Sequence, residues 1–510
     1  MRKLSEQDLE LKELLKPYAR NLVIWLTALV AFVCWATNQT LVAFAIFAVE
    51  AGLILALFKD MTLVLAPAWF FMFARSNTPL AGQWLWLISL AAIVIGLVVH
   101  FIRFRPKVFA PKNILKGFTL SLIVAGISFA MGGIGVSGRQ GWVVAILVVF
   151  GLVLPLCYLV LSAAIQENAG ENLLKFVAML VYTLAILIVL QVIVYYARLG
   201  SLDAVKEHIK VKWMELGWGV ANSVAPTVSI AIPVALYYSL KKSNFAWAHL
   251  LFAVVLYAMA FVCTCRGVII IDTVAIILML VYVFIKTENR TQTGITVALV
   301  AVAGIVFVVV FREKLYAIFE EVISRGLGDN GRFDLWKLAM ERFLKRPIFG
   351  VGLDYDMGGF VEDGNSTVPY YYHSTPIQIL CCFGIFGLIA HGFLYYWRYK
   401  TFLVNRKNAL MLALMMGLLM YDAYSWLDRN FFLVPSFIIM TIITLAAEKA
   451  APEDKLTPLT VRFVRFVKSK RTTGAEPPQE QMQTEPTEEP QEQTEQSTPL
   501  QEQSQEQQAE

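Results

Sequence analysis

Three side chains, distant along the chain, are of types suited to an anionic leaving group and a hydroxyl proton. Arg266 stands in CTCRGVIII, with apolar residues on both sides. A guanidinium at the edge of a hydrocarbon layer is costly unless it meets an anion, and its planar fork matches phosphate oxygens two at a time. The competing reading is an interface anchor or a bridge to Asp272, although those residues fall about 240° apart on an ideal helix. Arg332 opens GRFDLWKLAMERFLKRPIFGVG, with Trp336 one turn later; a solvated helix-end charge is the alternative. His373 lies in YYYHSTPIQILCCFGIFGL. Imidazole moves protons near neutral pH, and Thr375 and Pro376 are expected to cap and open the helix behind it. His373 could instead belong to an interfacial aromatic belt with Tyr370, Tyr371 and Tyr372, rings that equally suit stacking on sugars. Asp354 and Asp356 form a DxD that can hold a divalent cation on a diphosphate, or can simply be solvated in a loop. No metal and no cofactor is expected.

The elements that must position these residues are apolar. The 510-residue chain is 58% hydrophobic and only 16% charged, with a mean hydropathy of +0.62. A soluble globular enzyme would carry about 25% charged residues. The formal charge of +5 is small, and the basic residues sit in short loops rather than on one face, so nucleic acid is excluded as a partner. The six cysteines lack zinc or redox spacing and read as small apolar fillers.

Apolar runs long enough to cross a bilayer recur between residues 21 and 447 and give about fourteen candidate spans. The weakest is the short run at 61–75, and others lie at 222–240 and 374–397. The expected fold is therefore all-α and polytopic. Residues 1–20 are charged and amphipathic, with no small-residue cleavage site after the first apolar run, so that run reads as an uncleaved anchor. Placing the N-terminus in the cytoplasm puts Arg103, Arg105, Lys107 and Lys112 inside, with Lys241, Lys242, Lys286 and Arg290. It does the same for Arg398, Lys400, Arg406 and Lys407, and for the basic segment 448–474, as the positive-inside rule requires. Both termini are then cytoplasmic.

The loop 312–373 lies outside and is far longer than a usual connection. It reads as two amphipathic helices, Arg312 to Arg325 and Arg332 to Lys345, joined by GLGDNG and followed by the glycine-rich RPIFGVGLDYDMGG. Residues 475–510 hold ten Glu and no Lys or Arg and read as a disordered acidic tail. Glu50 and Asp272 are the main charges expected inside spans, each read as a proton or ion site or as a buried carboxyl paired with a neighbouring helix. A transporter or lipid-linked sugar flippase would need charges along a central cavity. The polar residues instead gather at the outer ends of spans.

The order "CRG", then "GRFDLW…RPIFGVG", then "HSTPIQILCCFGIFGL" resembles the O-antigen ligase and O-antigen polymerase superfamily of bacterial membrane glycosyltransferases, over roughly 220–400. Gly384 and Gly387 match the spaced glycines of the third element, Gly350 and Gly352 those of the second, and Asn222 an asparagine before the preceding span. Two departures are Thr264-Cys265 where serine is common, and Ser374 where asparagine often follows the histidine. The resemblance implies a type C glycosyltransferase-like fold in the bacterial cytoplasmic membrane. It implies an undecaprenyl-diphosphate-linked glycan donor and a glycan or glycolipid acceptor, with envelope-assembly proteins as further partners. It assigns donor diphosphate binding to Arg266 and Arg332 and catalysis to His373, with Asn222, Trp336, Gly350, Gly352 and Tyr372 binding substrate or shaping the site. A metal-independent, inverting polymerase of a surface or capsular polysaccharide is the expectation. A ligase to lipid A core or another acceptor is the alternative.

Overall fold

Apolar segments with no water to satisfy their backbone must pair their amides internally. The computed structural model is accordingly helical almost throughout. It describes residues 6–77, 85–132, 148–166, 170–241, 244–287, 290–310, 312, 332–352, 360–363, 366–369, 372–428 and 434–458. The helices in chain order are α1 Glu6–Ala36, α2 Thr40–Leu57, α3 Leu65–Phe70, α4 Leu85–Phe104, α5 Pro111–Ile114, α6 Gly117–Gly132 and α7 Leu154–Ala164. They continue with α8 Gly170–Ala197, α9 Leu202–Val211, α10 Ala221–Ser229, α11 Ile232–Ser239, α12 Ala246–Val262, α13 Arg266–Lys286 and α14 Arg290–Val310. The last are α15 Arg332–Lys345, α16 Thr375–Leu403, α17 Ala409–Ser425, α18 Val434–Ala450 and α19 Glu453–Leu456. Among the described residues, six helices are long and apolar enough to cross a membrane, and further apolar helices are shorter. The chain is a multi-pass membrane protein.

The all-α expectation holds, with one short antiparallel hairpin beside the helices, β1 Phe360–Asp363 with β2 Ser366–Pro369, in which Phe360 pairs with Pro369 and Asp363 with Ser366. Two expected spans are corrected. The run at 61–75 is a short irregular helix: a 3₁₀ turn at Met61–Val64, α3, and a second 3₁₀ turn at Phe71–Ala74. The run at 222–240 is two helices, α10 and α11, which break at residues 230–231 between Pro226 and Pro233; each ring removes a ladder donor. Helix α1 runs without a break from Glu6 to Ala36. The expected helix Arg312 to Arg325, the GLGDNG turn, Asp354, Asp356 and residues 459–510 lie outside the described residues.

The charge reading also changes. Arg398, expected in a cytoplasmic loop, is buried inside α16 and ion-paired to Asp422 of α17. Its guanidinium lies 4.5 Å from the Tyr395 ring centroid and 5.2 Å from that of Tyr399, and its Nη1 is 2.9 Å from Met440 Sδ. Glu448, expected in the basic juxtamembrane segment, is the last-turn carboxylate of α18. It pairs with Lys116 at 3.1 Å, both side chains buried. Glu50 accepts from Thr27 at 2.9 Å, and Asp272 accepts from the Ser229 hydroxyl. Charges inside this fold therefore meet partners on neighbouring helices, as burial demands.

Candidate active site

The site is assembled around a deliberate break in α16. Gly384 has φ +68°, and a Cβ there would stand 2.4 Å from the Ile348 carbonyl oxygen. Breaking a helix orphans carbonyls before the break and amides after it, which is untenable in an apolar layer. The segment behind α15 satisfies them. Val351 and Gly352 amides donate to the Cys381 and Cys382 carbonyls, each at 2.9 Å. Ile385 and Phe386 amides donate to the Pro347 and Ile348 carbonyls at 2.9 and 3.1 Å. This backbone-to-backbone contact leaves no room for side chains: a Cβ on Gly350 (φ +73°) would lie 2.3 Å from the Cys382 carbonyl carbon. The glycines of RPIFGVG and CCFGIFG are thus two halves of one joint.

That joint fixes α15 against the start of α16. The Trp336 indole donates to the Tyr372 carbonyl at 2.9 Å, and the Tyr372 amide donates to Gln378 at 3.0 Å. Tyr372 is fully buried with Ala339, Val351 and Cys381, and Arg342 donates to its hydroxyl at 3.1 Å. Burial, reinforced by the neighbouring Cys381, holds this phenol well above its ordinary pKa, while the Arg342 hydrogen bond opposes it. Tyr372 is a packing residue, and its ring is not available as a sugar platform. Arg332 opens α15 one turn before Trp336, half-buried. Residues four apart share a helix face, so Arg332 lies on the same face of α15 as Trp336, whose indole meets the Tyr372 carbonyl.

His373 follows with φ +49°, a conformation that costs a non-glycine residue energy and recurs at functional sites. Thr375 does not cap α16 as expected. Ser374 holds the cap position, and the Thr375 hydroxyl donates instead to the Asp428 carbonyl at 3.3 Å. His373 Nδ1 lies 3.1 Å from Asp428 Oδ1, with the imidazole 33% exposed and the carboxylate 5%. A carboxylate can only accept, so Nδ1 is the donor in this contact. Asp428, just beyond α17, is the residue the sequence reading missed. Its only signal was its place two residues past an aromatic span end, in YDAYSWLD.

The chain of contacts continues to Arg266. Tyr424 Oη donates to Asp428 Oδ2 at 3.2 Å, and the Cys265 thiol donates to Tyr424 Oη at 3.1 Å. Cys265 precedes Arg266, the first residue of α13. The Gly267 backbone rests on the Tyr424 ring, with a built Cβ 3.2 Å from Cε2. Thr264, at φ +48°, enters this turn with its hydroxyl buried and without a hydrogen-bond partner among the described residues. A β-branched residue in that region is a genuine outlier. Arg266 is half-buried. Asn222 is the second residue of α10, also half-buried; among the described residues no hydrogen bond joins it to His373 or Asp428. Among the described residues no cluster of three or more His, Cys, Asp or Glu could hold a metal.

Both arginines occupy the first position of a helix, where the macrodipole is already positive. A cation there is unfavourable in isolation, and the same place is well prepared for an anion. The fold thus defines a class: a helical multi-pass membrane protein, with Arg266 and Arg332 each opening a helix and His373 just before α16. Within it, residues 227–392 match the O-antigen ligase family model (Wzy_C), and this supports the O-antigen ligase and polymerase superfamily as the one to which this region belongs. The matched stretch contains Arg266, Arg332 and His373 and ends before Tyr424 and Asp428. None of the curated proteins compared with the chain matches it. The family implies glycan transfer in envelope polysaccharide biosynthesis.

Proposed function

We propose that the chain transfers a glycan from an undecaprenyl-diphosphate-linked donor to a sugar hydroxyl at the outer face of the cytoplasmic membrane, polymerising a surface polysaccharide. Arg266 and Arg332 hold the donor diphosphate. The acceptor hydroxyl oxygen attacks the anomeric carbon opposite the diphosphate. As that C–O bond forms, the bond to the diphosphate breaks and its electron pair passes to the leaving oxygen. Preorganised cations stabilise the charge that develops there. The hydroxyl proton passes to His373 Nε2, a contribution of about 10²–10⁴-fold, while Asp428 stabilises the imidazolium that forms. The configuration inverts, and no step requires a metal.

The carrying observation is the unbroken series His373, Asp428, Tyr424, Cys265, which joins the proton acceptor to the turn that bears Arg266. The positive-inside bias supports this sidedness. α13 runs from the site to Lys286, and α16 from the site toward Lys400, Arg406 and Lys407. With the basic ends in the cytoplasm, the site would open away from it.

The test is incubation of the purified protein with an undecaprenyl-diphosphate oligosaccharide. Longer lipid-linked chains support a polymerase. Transfer to an added lipid A core or other acceptor, without elongation, replaces it with a ligase. Absence of any transfer by protein that still binds the donor contradicts both. Activity that persists in EDTA is expected; its loss would bring Asp354 and Asp356 forward as metal ligands.

A further inference from the structure

Tyr424 touches both halves of this pocket. It is 3% exposed on the last turn of α17. Its ring lies under the first turn of α13, so close that any side chain at 267 would press on it. Its hydroxyl accepts from Cys265 and donates to Asp428 Oδ2, and the other carboxylate oxygen faces His373. Tyr424 is a donor to Oδ2 of this buried carboxylate, and a carboxylate held on both oxygens keeps one orientation. Removing the Tyr424 donor would loosen that orientation. The loosening would misalign a base that must stand within hydrogen-bond reach of the acceptor hydroxyl.

Resting on the glycosyl-transfer reading above, we propose that Tyr424 is a positioning residue that ties the arginine-bearing turn to the histidine–aspartate pair. It sets the imidazole for proton transfer only when the start of α13 is in place. It touches neither donor nor acceptor. Its role is to hold Asp428 Oδ2 through the hydroxyl and α13 through the ring. A hydrogen bond to a charged group contributes about 1.5–3 kcal/mol, so loss of the hydroxyl alone should lower turnover by about 10–100-fold.

The experiment measures steady-state transfer by the purified full-length protein, with undecaprenyl-diphosphate oligosaccharide as donor. Tyr424→Phe keeps the ring and removes the hydroxyl. kcat should fall by about 10–100-fold, with the KM for donor within about twofold of wild type and an unchanged melting temperature in detergent. In an Asp428→Asn background the same substitution should have little further effect, because both act through one network. Cys265→Ala, which removes a weaker thiol donor, should lower kcat by a smaller factor and serves if Tyr424→Phe does not accumulate. The inference is overturned if Tyr424→Phe turns over as wild type does, if its loss is entirely in KM, or if its effect multiplies fully with that of Asp428→Asn. An unchanged kcat in Cys265→Ala overturns the link to α13. A wild-type protein that transfers no glycan fails the functional reading itself. A wild type that transfers, beside an equally active Tyr424→Phe, fails this inference alone.

Discussion

Two side-chain pairs, each with an aspartate on or just beyond α17, tie α16 to α17, and the two are built to opposite ends. Arg398 and Asp422 lie within the helices, 2% and 6% exposed, and are enclosed by Tyr395, Tyr399 and Met440. His373 and Asp428 lie just outside the same helices, and the imidazole is one-third exposed. The inner pair holds a permanently charged guanidinium, which cannot give up its proton in a protein. The outer pair holds an imidazole fixed through Nδ1 by the Asp428 carboxylate. One pair locks the helices together; the other uses the lock as a mount. A buried charge in a span is therefore weak evidence of transport, whereas a half-open histidine backed by a buried carboxylate is a plausible place for chemistry.

Four substitutions would break or sharpen this contrast. The largest expected effect belongs to Arg398→Met, which leaves Asp422 buried without its partner. A loss of about 3–5 kcal/mol is expected, read as failure to accumulate in the membrane or as a much lowered melting temperature. Arg398→Met combined with Asp422→Leu should recover most of it. If the single variant is as stable as wild type, the inner pair is not a lock. Next, His373→Ala should lower turnover by about 10²–10⁴-fold with little change in melting temperature. A comparable loss of stability would make the outer pair structural too. Gly384→Ala forces a side chain into the Ile348 carbonyl at a left-handed residue. It should destabilise the joint by roughly 3 kcal/mol and reduce activity, because α15 loses its seat; full activity would show that the joint does not position Arg332. The smallest effect is expected for Trp336→Phe, which gives up one hydrogen bond to the Tyr372 carbonyl. About 1 kcal/mol, seen as a several-fold fall in activity, is the expected outcome of a titration series in detergent.

Much of this was legible in the sequence, and the gaps have physical causes. Long apolar runs announce helices, so the polytopic class needed no structure. The motifs flanking Arg266, Arg332 and His373 were legible because each is short-range, and they lie inside the family-matched stretch. The helix breaks at residues 230–231 and at Gly384 were hidden, since hydropathy averages over them; the paired glycines at 350 and 384 were the clue, meaningful only once their backbones touch. Arg398 was misplaced because its position near a run of basic residues looked like a loop, and its partner lies in the next helix. Asp428 and Tyr424 escaped because a carboxylate after a span carries no local pattern. Their roles arise from the closing of α17 against α13 and α16.

The central claim, that guanidinium groups and an imidazole serve one pocket with different tasks, is tested most directly by measuring donor binding and turnover side by side. The protein in detergent would be titrated with a labelled undecaprenyl-diphosphate oligosaccharide, and transfer measured on the same samples. The account predicts that Arg266→Ala and Arg332→Ala weaken donor binding at least tenfold, with lysine rescuing poorly because the bidentate fork is lost. It predicts that His373→Ala and Asp428→Asn bind donor as wild type does but fail to transfer it. Normal donor binding and transfer by both arginine variants, or wild-type turnover without His373, would contradict it.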